Sequence, residues 1–340
     1  MKKTFQKTLI AVAAGAALMS AVGTASANSL LFPYFKVGAG VQSVLSLSNA
    51  GSTAATEDVH YSYGVGSTCA HYDTWGKLTA NDIISHSIAA PANGGVAVIP
   101  SNDTSTPGYL AQTDTEGFLV VSNVSTASVN ALRGSLAVIE AASTGLFVSY
   151  AGIDNGLSTV SAVPGKYSNV ASGNANEGNF SLAVLNAVGA GPAVAALNFP
   201  LTWMPTATVT TTWWALPIGD MNAFTRGAVQ TWAGTFALNN GQNNVWDNEE
   251  NYRSGTKNVA AGCMQSFAVK DLMTAGQLAA FTSDPVMSKG GGSGLYKGTG
   301  AVAGGADNVI LMKNQKVTSG SASYDRGTLQ HRENGQIGAF

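Results

Sequence analysis

The chain has 340 residues, of which the first 27 read as a secretory leader, leaving 313 for the mature protein, enough for one large domain or two ordinary ones. Charged residues make up 11%, against about 25% in ordinary soluble proteins, while 45% are apolar, so the chain can bury a core and wholesale disorder is excluded. Without the leader's three lysines, 14 basic residues face 19 acidic ones with no basic run, which argues against nucleic acid and anionic lipid as partners.

Lys2, Lys3 and Lys7 precede an apolar stretch from Leu9 to Val22, and Ala25-Ser26-Ala27 supplies the small residues of a cleavage site before Asn28. That stretch is shorter than the roughly 20 residues needed to cross hydrocarbon, so it reads as a signal peptide, and no transmembrane helix is expected in the mature chain. Export to an oxidising compartment favours pairing the two cysteines, Cys69 and Cys263, as a disulfide. The competing reading is a metal site, because Cys69, His71 and Asp73 alternate and would share one face of a strand.

The mature chain opens with Leu30, Leu31, Phe32, Tyr34 and Phe35, a first strand for the core or, alternatively, a donor strand offered to a neighbouring subunit. Short apolar runs ended by Gly, Asn, Pro and Ser then recur. They cover Val41 to Ser48, Gly95 to Ile99, Gly117 to Ser122, Ser135 to Ile139, Leu146 to Ala151, Phe180 to Val188, Ala193 to Leu201, Ala207 to Leu216 and Val309 to Met312. These read as strands, and helical periodicity is confined to Thr79 to Ser85 and Val269 to Phe281, with Thr274 capping the later turn. The fold class that follows is mainly β, an antiparallel sandwich of Greek-key or jelly-roll type with one or two short helices.

Composition divides the mature chain into an N-terminal β module (28–155), a Gly/Ser-rich linker (156–178), a C-terminal β module (179–312) and a polar tail (313–340). A single domain over 28–312 is the alternative. The glycine runs at Gly290 to Gly294 and Gly298 to Gly305 read as flexible. Two blocks recur in one order. Leu47-Ser48-Asn49, Glu57 to Tyr61, Cys69 and Leu78-Thr79-Ala80-Asn81-Asp82-Ile83 match Leu238-Asn239, Glu250 to Tyr252, Cys263 and Leu272-Met273-Thr274-Ala275-Gly276-Gln277-Leu278, as two related modules would, with coincidence in a Gly/Ala/Ser-rich chain as the alternative.

Chemistry is sparse. Trp246, Asp247, Glu249 and Glu250 form the densest acidic cluster, a solvated loop or else a Ca²⁺ or glycan contact. Gly290-Gly291-Gly292-Ser293-Gly294 fits the letters of a nucleophile elbow without its strand-to-helix frame, and no histidine is spaced for a catalytic triad. No catalytic residue, metal or cofactor is therefore assigned. The expected function is that of a secreted structural or adhesive protein at the extracellular or outer surface of a bacterium, with the periplasm as the alternative. Its expected partners are further copies, other surface components or a glycan. The rivals are an outer-membrane β-barrel, prompted by the leader and the terminal Phe340, and a secreted carbohydrate-binding protein or glycosidase.

Overall fold

The computed structural model describes residues 29–50, 57–66, 68–89, 107–112, 114–124, 132–140, 147–154, 162–164, 172–174, 197–203, 209–217, 234–238, 244–247, 252–254, 259–261, 264–283, 290–298, 309–319 and 322–329. The fold is mainly antiparallel β with two short helices. The leader, Gly95 to Ile99, Phe180 to Val188, His331 and Phe340 lie outside the described residues.

Nine strands build two facing sheets. They are β1 (Ser29–Val37), β2 (Val41–Asn49), β3 (Glu57–Val65), β4 (Ala70–Leu78), β5 (Ile83–Ser87), β6 (Thr115–Asn123), β7 (Leu132–Glu140), β8 (Phe147–Ala151) and β9 (Ile153–Asp154). One sheet has the order β4-β3-β6-β1-β9 and the other β5-β2-β7-β8. Alternation explains the division of side chains in β2, where Leu45 and Leu47 enter the core while Ser46 and Ser48 are half-buried on the opposite face. Strand β1 departs from this pattern, since every residue but Lys36 is buried. Both its faces are therefore covered, as expected of its near-continuous apolar sequence.

Beyond these, β10 (Ala162–Pro164) pairs with β11 (Ser172–Asn174) inside the stretch read as a linker. The second half holds β12 (Leu197–Trp203), β13 (Val209–Pro217), β14 (Gly234–Leu238), β15 (Asn244–Asp247), β16 (Tyr252–Ser254), β17 (Val259–Ala261) and β18 (Gln265–Ala268). Helices α1 (Val269–Leu272) and α2 (Ala275–Ser283) follow, then β19 (Gly290–Gly298), β20 (Val309–Ser319) and β21 (Ala322–Leu329). One sheet runs β18-β13-β20-β21; in the other, β19 carries β14 and β15 along one side and β12 along its other side. Among the described residues every sheet is open and none closes into a barrel.

Strand β13 sits between two cores. Trp214 and Leu216 join Ile310 and Met312 in the core that includes the N-terminal sandwich, while Trp213 and Ala215 face a second core with Leu201, Trp203, Phe267 and Leu311. Adjacent tryptophans on a strand point to opposite faces, so Trp213-Trp214 supplies both.

Three local expectations differ from the structure. Thr79 to Ser85 is a turn leading into β5 rather than a helix. Asp82 Oδ2 accepts hydrogen bonds from Thr79 N and Thr79 Oγ1, both at 2.9 Å, but Asn81 takes a left-handed φ of 58°, which breaks the helix before it starts. The glycines at 290–294 form part of β19 and are paired along their backbone on both sides. The polar run after Lys313 continues β20 to Ser319 and returns as β21, pairing Lys313 with Thr328 and Ser319 with Ala322.

Candidate functional site

The most chemically dense group of described side chains lies on one face of the β3–β4 hairpin. Its register places Asp58 opposite Lys77, His60 opposite Trp75, Ser62 opposite Asp73 and Gly64 opposite His71, so period two collects all of them on the same side. The turn joining these strands carries Cys69 at φ 56°, with its N–H donating to Gly66 O.

Asp73 is the centre of the group. Its Oδ1 lies 2.8 Å from His60 Nε2 and 3.1 Å from His71 Nε2, and Ser62 Oγ donates to the same oxygen at 3.4 Å. Burial pushes the Asp73 carboxyl up, but the contacts from His60 and His71 outweigh it and hold the group well below the usual carboxylate range. The His60 ring is stacked on Trp75, with centroids 4.2 Å apart and planes 13° from parallel. Lys77 Nζ meets Asp58 Oδ1 at 3.4 Å on the exposed flank.

The arrangement clasps β3 to β4. Ser62 is 1% exposed and shares its oxygen acceptor with both histidines, so its hydroxyl is not open to a substrate as a nucleophile must be. Because both imidazoles close on a single carboxylate oxygen, they are arranged as its partners; among the described residues no group of three or more His, Cys, Asp or Glu is arranged to hold a metal ion. Cys69 is not a free thiol, which removes the sulfur that the metal reading needed.

A second feature is the outer edge of β5. Asn49 N–H donates to Asp82 O and Ile88 N–H to Ser43 O, so the hydrogen-bonded pairs between β2 and β5 are Leu45 with His86 and Leu47 with Ile84. The N–H and C=O groups of Ile83 and Ser85 therefore point away from β2, where among the described residues no strand pairs with them. Ile83 is 69% exposed, and its side chain stands on this edge.

The other residues singled out from sequence are scattered. Trp246 and Asp247 end β15, whose backbone pairs with β16 and β19. Glu249, Glu250 and Cys263 lie outside the described residues. Leu30, Leu31, Phe32, Tyr34 and Phe35 are buried in their own chain, on a strand paired with β6 and β9. Sequence reasoning missed the histidine clasp because His60 and Asp73 are 13 residues apart. A hairpin turn after Gly66, read together with the alternation in His60-Tyr61-Ser62 and His71-Tyr72-Asp73-Thr74-Trp75, would have found it.

No protein-family model matches the chain, and no curated protein does. Among solved structures, the crystal structure of Thermotoga maritima 1070 is similar over 38% of this chain and 95% of its own, at 9% identity and a TM-score of 0.26. CfaE, the adhesive subunit of CFA/I fimbria of enterotoxigenic Escherichia coli, is similar over 87% of this chain and 92% of its own, at 8% identity and a TM-score of 0.13. At these scores neither likeness bears on fold or function.

Proposed function

We propose that the chain is an exported structural or adhesive subunit of a bacterial cell surface, assembling with further copies or other surface components through open sheet edges and aromatic patches. The observation that carries this reading is the β5 edge, where backbone groups of Ile83 and Ser85 that no strand among the described residues pairs lie beside the most exposed large hydrophobic side chain described. An open edge of this kind is a template for a strand from another molecule. A chain with 11% charged residues has little long-range repulsion to oppose such contact.

The reading includes a disulfide between Cys69 and Cys263. Closing a loop of 194 residues would stabilise the fold by up to about 5 kcal/mol on the chain-entropy model. Peptide mapping without reductant should recover the two cysteines in one linked fragment, and two unmodified thiols in the native protein would refute the bond.

Fractionation of the native organism, with electron microscopy of sheared surface material, tests location and assembly together. Sedimentation of the purified mature protein, with and without Ca²⁺, should show association rising with concentration. A protein that stays strictly monomeric and fractionates away from the surface would sink the reading.

A further inference from the structure

His86 closes the end of β5 as a fully buried side chain. Its Nδ1 lies 2.9 Å from Ser87 O. A carbonyl can only accept, so Nδ1 carries the proton and Nε2 is left as a bare acceptor. Among the described residues that Nε2 is buried with no hydrogen-bond partner. A proton added there would create both a charge and a donor with nothing to receive it.

The ring is walled by Tyr109, edge-on with centroids 5.2 Å apart, and by Tyr61 at 6.2 Å. Those two phenols, from the 107–112 segment and from β3, are the titratable groups facing it among the described residues; β2 presents Leu45 directly across. Desolvation dominates, and it lowers the imidazole from 6.5 to about 4, against a smaller opposing effect of the Ser87 carbonyl.

The segment that carries Tyr109 is bound at this same point. Leu110 N–H donates to Ile88 O at 2.8 Å, and Leu110 bridges Ala89 in parallel. Tyr63 Oη donates to Gly108 O at 2.7 Å. Gly108 packs so closely that an added Cβ would meet the Tyr61 ring at 2.3 Å.

We propose that His86 makes the Pro107–Gln112 segment an acid-responsive latch, whose release on imidazole protonation frees the Ile88 carbonyl and uncovers the His86 end of β5. The latch operates within one molecule and stands independently of the edge reading above. Opening lets the imidazole meet water and take a proton that the closed form refuses, so acid favours the open form.

Amide hydrogen exchange at Leu110, measured on dilute monomer at pH 7 and pH 5 and corrected for intrinsic rate, reads the opening. Linkage between 6.5 and about 4 gives a rise of about twenty-fold in the open population, while the Val121 amide in central β6 stays unchanged. His86→Gln should abolish the pH dependence. Retention of that dependence in the variant, a flat Leu110 response, or a rise shared equally by Val121 would overturn the latch. Should the variant fail to fold, the imidazole titration of the unmodified protein decides, since an ordinary midpoint near 6.5 refutes the latch and a depressed one supports it. A flat Leu110 response leaves edge assembly standing, whereas a strictly monomeric protein leaves the latch standing.

Discussion

Tyr34 and Trp214 lie face to face, with ring centroids 3.9 Å apart and planes 8° from parallel. The contact joins the first strand of the N-terminal sandwich to β13, from the second half of the chain. Tyr34 is fixed on other sides as well, because its hydroxyl bonds to Glu116 and its backbone N–H donates to Tyr150 Oη. Trp214→Ala should therefore cost about 3–5 kcal/mol, the range for a large aromatic in a packed core. A double-mutant cycle with Tyr34→Ala, followed by urea unfolding, should give a coupling of about 1 kcal/mol beyond simple burial. Additive losses would mean that the two rings are merely neighbours.

Two glycines should respond in opposite directions. A Cβ on Gly117 would lie 2.0 Å from the Gly64 carbonyl oxygen, a backbone atom of the paired strand that cannot move aside. Gly117→Ala should thus destabilise by at least about 1–3 kcal/mol, as overpacking does. Gly276 lies near the start of α2 with nothing within 4 Å of its added Cβ. Gly276→Ala should raise stability by about 0.5–1 kcal/mol through helix propensity. Thermal melts of the two variants, moving to opposite sides of the parent, are the expected result.

Strand existence was legible where apolar residues ran on without interruption. Val41 to Ser48 and Val309 to Met312 both fall within strands, β2 and β20. What the pattern could not supply was turn chemistry. Thr79-Ala80-Asn81-Asp82 and Thr274-Ala275-Gly276-Gln277 look like one helix-start signal, and both form the same local bonds from Thr N and Thr Oγ1 to the side-chain oxygen three residues on. The second leads into α2, while Asn81 turns the first into β5, so the two blocks agree at this turn and diverge after it. The glycine-rich β19 was hidden for a related reason, since backbone pairing holds it and composition does not report backbone pairing. The β5 edge is hidden in the sequence because Thr79 to Ser85 reads as a helix that takes in Ile83.

The histidine clasp predicts a particular acid response. Asp73 is held below its ordinary range, so its carboxylate contributes fully above the usual 3.8 and loses that contribution as pH falls from there toward its depressed folded value. The side chain is 44% exposed, and solvent screening limits the effect to about 0.5–1 kcal/mol. Asp73→Asn should therefore reduce stability by that amount at pH 5, with the gap to the parent beginning to narrow below 3.8 and closing only toward the depressed folded value. Urea titrations stepped downward from pH 5 measure this, and a gap that never narrows in acid would show that the charge is not what joins β3 to β4.

Ile83→Lys separates assembly from folding. The parent side chain is 69% exposed, so the substitution should leave monomer stability within about 0.5 kcal/mol. Neighbouring Ile84 is 1% exposed in the core, and Ile84→Lys should unfold the protein by burying an unpaired charge. A lysine on an open edge repels a second copy of itself and blunts strand addition. Ile83→Lys should thus weaken self-association in sedimentation while leaving circular dichroism unchanged. If the folded variant associates as strongly as the parent, the contact lies elsewhere on the molecule and the β5 edge is not its template.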